Sequence, residues 1–374
     1  MADPVSTKME GKTSYKGKKL RVAIIGCGGI AQAHLATYKK FLPEVEIVAG
    51  VDIIQDRLDV MNETWGVPKD ALFIDDGKGA GWRAMIKKIK PDAVDVCTPN
   101  GIHSQPVIDA CNAGCHAIVE KPMAMTVAEC EKMVAAAEKN KVKLSVGFQQ
   151  RYRDVSAALV KARDNGVFGD IFFVEVDALR RRGIPNWGVF GQKKLQGGGP
   201  LIDIGVHMLE AAYEFMGCPK PVAASANIWT YMGDKPSTVL SSWPGWDWKT
   251  YTVEDYAAGQ IRFDNGAILQ IRSSFAAHIK EGKENWKAVG TKGGCSWENA
   301  EIFTDYNDLM VNTTPAFIGS NDWETIFKRK LQNWVSGCMK GTELDASGYD
   351  GLAVQKMLCG LYASAAAGKE VPIK

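Results

Sequence analysis

The stretch Leu20-Arg21-Val22-Ala23-Ile24-Ile25-Gly26-Cys27-Gly28-Gly29-Ile30-Ala31 decides the fold of the first third of the chain. Residues 20–25 are a short run rich in β-branched side chains, which suits a buried strand. Gly26, Gly28 and Ala31 follow in G-x-G-x-x-A spacing, and residues 32–40 read as helix. Gly26 permits the tight turn, Gly28 lets a pyrophosphate approach the backbone, and the small Ala31 lets helix pack on strand. The helix N-terminus, reached through Gly29 and Ile30, offers N–H groups and a positive dipole end to phosphates. A strand at 45–51 ends in Asp52, where a carboxylate can accept hydrogen bonds from adenosine ribose hydroxyls. Strand before, helix after and acid beyond turn a weak glycine pattern into a prediction of dinucleotide binding. The charge of Asp52 would repel a 2′-phosphate, so NAD is expected over NADP, with Arg57 close enough to leave NADP as the alternative.

Strand and helix then alternate. Helices are expected from about 56, at 82–90, from about 103 and near 127–139, with strands at 71–74, 93–97, 116–119 and 144–148. Such alternation argues a parallel sheet with right-handed crossovers, whose ligands bind beyond the carboxyl ends of the strands. Two segments fall at that edge, Thr98-Pro99-Asn100 and Glu120-Lys121-Pro122. Thr98, Asn100, His103, Glu120 and Lys121 therefore join Gly26, Gly28, Gly29, Ile30, Asp52 and Arg57 as candidate cofactor contacts. A turn-shaping role for Thr-Pro-Asn, and a loop-fixing role for Glu120, stand beside that reading.

From residue 151 the pattern changes. A helix to about 165 precedes a long strand at 170–179, and strand-like segments recur near 222–231, 256–263 and 267–278. Asp264-Asn265-Gly266 is hairpin-turn chemistry, which adjacent parallel strands could not have. Short strands near 287–289 and 295–298, then helices at about 322–339 and 349–367, complete the chain. The expectation is a flexible lead at 1–19, a Rossmann dinucleotide-binding domain at 20–148, and an α+β domain with a largely antiparallel open sheet at 149–374.

Composition excludes several classes. With 46% hydrophobic and 24% charged residues the chain can build substantial cores, and a net charge of +2 gives no folded basic face for nucleic acid. No run is long and apolar enough for a bilayer, and the lead lacks the apolar core of a secretory signal. The nine cysteines are an odd number without zinc-type spacing, and the five histidines form no metal motif. Reduced thiols, no protein-held metal, no membrane and a cytoplasmic address are the expectations.

A second informative stretch is Gly197-Gly198-Gly199-Pro200-Leu201-Ile202-Asp203-Ile204-Gly205-Val206-His207. Pro200 suits a first helical turn, and the glycines before it are read as letting backbone approach a ligand. Asp203 and His207, four apart, fall on one helix face and make a workable acid/base pair. The plainer alternative is a dipole-favoured carboxylate and a hydrogen-bonded imidazole. Upstream lies a basic and aromatic loop, Arg180-Arg181-Arg182-Gly183-Ile184-Pro185-Asn186-Trp187-Gly188.

Taken in order, G-x-G-x-x-A, E-K-P at 120–122 and G-G-G-x-x-x-D-x-G-x-H at 197–207 resemble the glucose-fructose oxidoreductase, inositol dehydrogenase and MocA family over roughly residues 20–370. The resemblance implies that Lys121, Asp203 and His207 meet substrate over the nicotinamide, with the Lys121–Pro122 bond often cis in the family. It also implies oxidation of a secondary hydroxyl of a sugar, inositol or polyol, or the reverse, and assembly as a homodimer or homotetramer. The 180–188 loop resembles a subset that oxidises glycosides at C3.

The chemistry suits these residues. Hydride removal from a carbinol carbon requires the hydroxyl proton to leave to a base, and a neutral imidazole titrates near working pH. His207 is read as that base, with Asp203 orienting it or gripping a neighbouring hydroxyl. Lys121 is read as the cation beside the developing oxyanion, or as the proton acceptor itself. Arg182 and Trp187 are the expected substrate contacts, the indole covering an apolar sugar face. An NAD-dependent dehydrogenase of a ring hydroxyl, C3 favoured, leads. An inositol or polyol dehydrogenase, an NAD-dependent redox-elimination glycosidase and a non-catalytic sugar or nucleotide sensor are the alternatives.

Overall fold

A computed structural model describes residues 17–374, so most of the expected 1–19 lead lies outside the described residues. By contact the chain divides into two units, one running through Phe148 and taking in Asp322–Leu352, the other made of Gln149–Asn321 and Ala353–Lys374.

The first unit is built on β1 (Leu20–Ile25), β2 (Val45–Asp52), β3 (Leu72–Ile74), β4 (Ala93–Val96), β5 (His116–Val119) and β6 (Leu144–Val146). They form one sheet in the order β3-β2-β1-β4-β5-β6, every pair parallel. Its crossovers carry α1 (Gly29–Phe41), α2 (Gln55–Glu63), α3 (Ala80–Ile89), α4 (Ser104–Asn112) and α5 (Val127–Lys139). Every residue of β4, β5 and β6 is buried, as expected of parallel strands covered on both faces. The order reverses between β1 and β4, and this switch point is where a doubly wound sheet opens a ligand crevice.

The second unit begins with α6 (Asp154–Asp164) and β7 (Ile171–Leu179), followed by the short α7 (Lys193–Gln196), a π-helical turn at Leu201–Gly205, and α8 (Val206–Phe215). Then come β8 (Pro221–Trp229), β9 (Tyr256–Phe263), β10 (Ile268–Ser274), β11 (Lys283–Gly290), β12 (Gly293–Ser296), β13 (Glu301–Tyr306) and β14 (Leu309–Thr313). With β15 (Val371–Pro372) they make a nine-stranded sheet, β14-β13-β12-β11-β7-β10-β9-β8-β15, antiparallel except where β10 meets β7. The Asp264-Asn265-Gly266 hairpin joins β9 to β10 as expected. Along β10, Leu269, Ile271 and Ser273 are buried while Gln270 and Arg272 are exposed, so one face is covered and the other open. Phe215 packs on Trp286 at 4.7 Å and Tyr213 stacks on Phe263 at 6.0 Å, which seats α8 on the covered face.

The helices that close the chain are α9 (Trp323–Lys340) and α10 (Gly348–Ala367). Reading the sequence as 149–374 puts α9 in the second domain, whereas its contacts put it with the first. The reason is chemical: Ile326, Leu331 and Trp334 are apolar positions of one buried face, and the same face carries Lys330 toward buried acids of the first unit. Among the described residues no helix is long and apolar enough to cross a membrane.

Candidate active site

In the first unit the candidate residues follow consecutive strands of the sheet. Gly26 follows β1, Asp52 ends β2, Thr98 lies beyond β4 and Glu120 directly follows β5, on four neighbouring strands ordered β2-β1-β4-β5. A Cβ at Gly26 would lie 2.8 Å from the backbone of Cys97 and Thr98, so glycine is required for β1 to turn beside β4. Space above the turn is open: a Cβ at Gly29 would meet nothing, and one at Gly28 only the Arg57 guanidinium at 3.7 Å. No side chain caps α1, which begins at Gly29 and Ile30, leaving its first N–H groups to another acceptor.

The Asp52 carboxylate is buried and accepts the Cys27 N–H at 2.7 Å and the Ile54 N–H at 3.0 Å. Arg57 stands 3.5 Å from it with its guanidinium half exposed. Burial and the nearby Asp52 charge push the Cys27 thiol up to about 12, so it stays a protonated filler of the turn. Thr98 Oγ1 is buried with no hydrogen-bond partner. An uncapped helix N-terminus, an orphaned hydroxyl and a carboxylate at the end of β2 fit a dinucleotide.

The segments after β4 and β5 are tied together from within. His103 is fully buried, with Nδ1 2.8 Å from the Pro122 carbonyl and Nε2 2.8 Å from the Thr98 carbonyl. Its ring therefore sits between the two loops, able to donate to one carbonyl while facing the other. Asn100 opens the 3₁₀ turn that leads to it. Glu120 is likewise buried, and it faces His34 and Lys330, which fits a loop-fixing role. Burial works to raise its pKa, but Lys330 and His34 hold the carboxyl well below the usual carboxylate range. Lys121 itself is half-buried, and the Lys121–Pro122 bond is cis, as the family resemblance implied. His34, Asp95 and Cys97 have the donor types of a metal site, yet the imidazole is already engaged by Asp95 at 2.8 Å and Lys330 at 2.9 Å.

In the second unit the Gly197 stretch is packed against the protein's own chain. A Cβ at Gly198 would collide with the Tyr362 hydroxyl, and one at Gly199 with the Glu254 backbone. The glycines are needed because the protein's own chain comes so close. Glu254 accepts the Gly199 N–H at 2.9 Å, the Leu201 N–H at 3.2 Å and the Tyr362 hydroxyl at 2.7 Å. Burial raises the Glu254 pKa, and these donors oppose the shift. Ser273 donates to the Pro200 carbonyl at 2.8 Å and completes the anchor.

The turn so anchored is π-helical at Leu201–Gly205, a geometry found often at functional sites, where the sequence had suggested ordinary helix. From residue 201 to 210 every position is buried except Asp203 and His207, so the two candidates are the ones that reach solvent. Asp203 has a cationic neighbour. Burial lowers the Arg180 pKa, while the Asp203 and then the Glu284 carboxylates act against that shift.

Arg180 also lies 4.5 Å over the Trp243 ring, and Trp243 meets Trp187 edge-on at 4.9 Å. Asn186 donates to the Pro244 carbonyl at 2.7 Å, closing the 180–188 loop against the tryptophan loop. Trp187 is 51% exposed, with Phe190 6.2 Å away. Arg182, the arginine favoured from sequence, instead donates to the Arg181 and Ala277 carbonyls and stands 3.1 Å from His278. Three consecutive arginines give no signal of which one turns toward Asp203. Glu254, Tyr362 and Lys330 belong to no motif, and only the folded chain reveals them.

Residues 20–148 match the model of an oxidoreductase family with an NAD-binding Rossmann fold, and residues 157–296 match the GFO/IDH/MocA C-terminal domain. The chain is 35% identical to the D-glucoside 3-dehydrogenase of Escherichia coli (strain K12), over 97% of this chain and 100% of that one. An aldose-aldose oxidoreductase from Caulobacter crescentus, solved with glycerol, superimposes with a TM-score of 0.76 at 26% identity, over 95% of this chain and 99% of that one. A levoglucosan dehydrogenase solved with NADH shares the fold, with a TM-score of 0.79 at 23% identity over 95% and 99%. The chain belongs to the GFO/IDH/MocA family of NAD-binding oxidoreductases.

Proposed function

We propose that the chain is an NAD-dependent dehydrogenase acting on a ring secondary hydroxyl, at C3, of a glucose-like sugar or glucoside. The observation that carries this reading is the pairing of Asp203 and His207 as the accessible positions of an otherwise buried turn, with the Arg180 charge beside Asp203. NAD, when bound, supplies the acceptor for the hydride. The carbinol C–H bond breaks with its electron pair, the hydroxyl proton passes to His207, and the carbonyl forms. Lys121 stabilises the oxygen as negative charge develops on it. Asp203 accepts a hydrogen bond from a neighbouring sugar hydroxyl, near the Arg180 charge. Trp187 and Trp243 offer flat apolar surface to the C–H face of a pyranose, in the usual manner of a pocket with apolar walls and a few placed polar groups. The name of the D-glucoside 3-dehydrogenase relative supports C3 as the reacting centre.

The test is a panel of sugars, inositols and glycosides monitored for NADH formation and for aglycone release. Net NADH with glucosides supports the proposal. Aglycone release without net NADH would make the chain a redox-elimination glycosidase instead. We also propose a cytoplasmic protein, on the strength of nine free cysteines, and a homodimer or homotetramer formed through the open face of the second sheet. Sedimentation velocity tests the latter.

A further inference from the structure

We propose that Lys330 is the positioning residue of the Lys121 loop. This rests on the reading of Lys121 as a group that acts on the reacting oxygen. Lys330 is carried by α9 yet is 1% exposed, an unusual place for an ammonium group. Its Nζ donates to Glu120 Oε1 at 2.8 Å, stands 2.9 Å from His34 Nε2, and lies 4.2 Å from the centre of the Phe327 ring. His34 is fixed in turn by Asp95, 2.8 Å from its Nδ1, and Asp95 also accepts from the Tyr38 hydroxyl at 2.9 Å. With one carboxylate oxygen held by Lys330, the other oxygen of Glu120 accepts the backbone N–H of Lys121 at 3.3 Å. On the far side of the same peptide, the Pro122 carbonyl is held by His103. The Lys121–Pro122 unit is thus clamped at both ends, and the clamp on the Lys121 side ends in Lys330.

A buried ion pair is weak evidence for stability, because desolvation of both charges offsets their attraction. Mere stabilisation would therefore be met as well by two neutral side chains. What a neutral pair could not do is hold the Glu120 carboxylate in the one rotation that presents an oxygen to the Lys121 N–H. Removing Lys330 alone leaves the Glu120 charge buried without its counter-charge, so the single variant loses stability as well as alignment.

The experiment compares Lys330→Met, Glu120→Gln/Lys330→Met and Lys121→Met with the parent. It reads kcat on a glucoside, the Kd for NADH by fluorescence, and Tm. In the double variant Tm and NADH affinity are expected near parental, while kcat falls about 10- to 100-fold, the scale of a displaced catalytic group. A double variant that regains parental kcat together with parental Tm would overturn the proposal, since Lys330 would then be a counter-ion only. Should Lys330→Met not fold, the double variant carries the test alone. If Lys121→Met keeps parental turnover, the reading of Lys121 fails, and with it the purpose assigned to the clamp. If Lys121→Met is inactive and the double variant is not, the Lys330 proposal fails and the catalytic reading stands.

Discussion

Arg180 lies 4.5 Å over the face of Trp243, and the Asp203 charge counters the lowering of its pKa by burial. The contact ties an aromatic wall to this arginine, and we propose Arg180 beside Arg182 as a substrate-side cation. Arg180→Met should raise KM for a glucoside by about tenfold or more, the worth of a hydrogen bond to a charged group. Arg182→Met, whose guanidinium is engaged by backbone carbonyls, should leave KM near parental. Trp187→Ala should raise KM with little effect on kcat. Steady-state kinetics on one glucoside checks all three, and an Arg182 effect larger than that of Arg180 would reverse the assignment.

Cofactor choice follows from Asp52 and Arg57. The buried carboxylate at the end of β2 disfavours a 2′-phosphate, and kcat/KM should favour NAD over NADP by at least several-fold. Arg57→Ala should reduce whatever NADP activity there is. A clear parental preference for NADP would mean that the half-exposed Arg57 outweighs Asp52.

Lys121→Met and His207→Asn should lower kcat by about 10² to 10⁴ while NADH affinity holds, as expected of groups that act in proton transfer and charge stabilisation. Turnover near parental in both would move the chemistry elsewhere.

Glu254 gives the protein a signed pH response. Its folded pKa lies above the ordinary glutamate value because of burial, so its contribution to stability is present below the unfolded pKa and is lost as pH rises through the folded one. Relative to Glu254→Gln, the parent should gain Tm as pH falls through the weakly acidic range. The opposite slope would contradict the assigned shift. Gly199→Ala, which drives a Cβ into the Glu254 backbone, should cost about 1–3 kcal/mol or more by overpacking.

Much of this was legible in the sequence, for identifiable reasons. The β1 turn was readable because its residues, spacing and flanking elements constrain one another locally, and the hairpin at 264–266 because turn chemistry is local too. Asp203 and His207 could be placed on one face from a spacing of four. What could not be read depends on contacts between distant segments. Lys330 reaches Glu120 across 210 positions, Tyr362 reaches Glu254 across 108, and the meaning of Gly198 and Gly199 lies in those partners. His103 looked like a ligand-edge residue because it follows β4. That the carbonyls of Thr98 and Pro122 both converge on its ring was not legible, because they come from separate loops.

The central claim is oxidation at C3, and the most direct measurement compares a glucoside with its 3-deoxy analogue under saturating NAD, following NADH and the product by NMR. NADH formation and a 3-keto product are expected from the glucoside, and no NADH from the 3-deoxy compound. Equal turnover of the two sugars, or a keto group at another carbon, would contradict it.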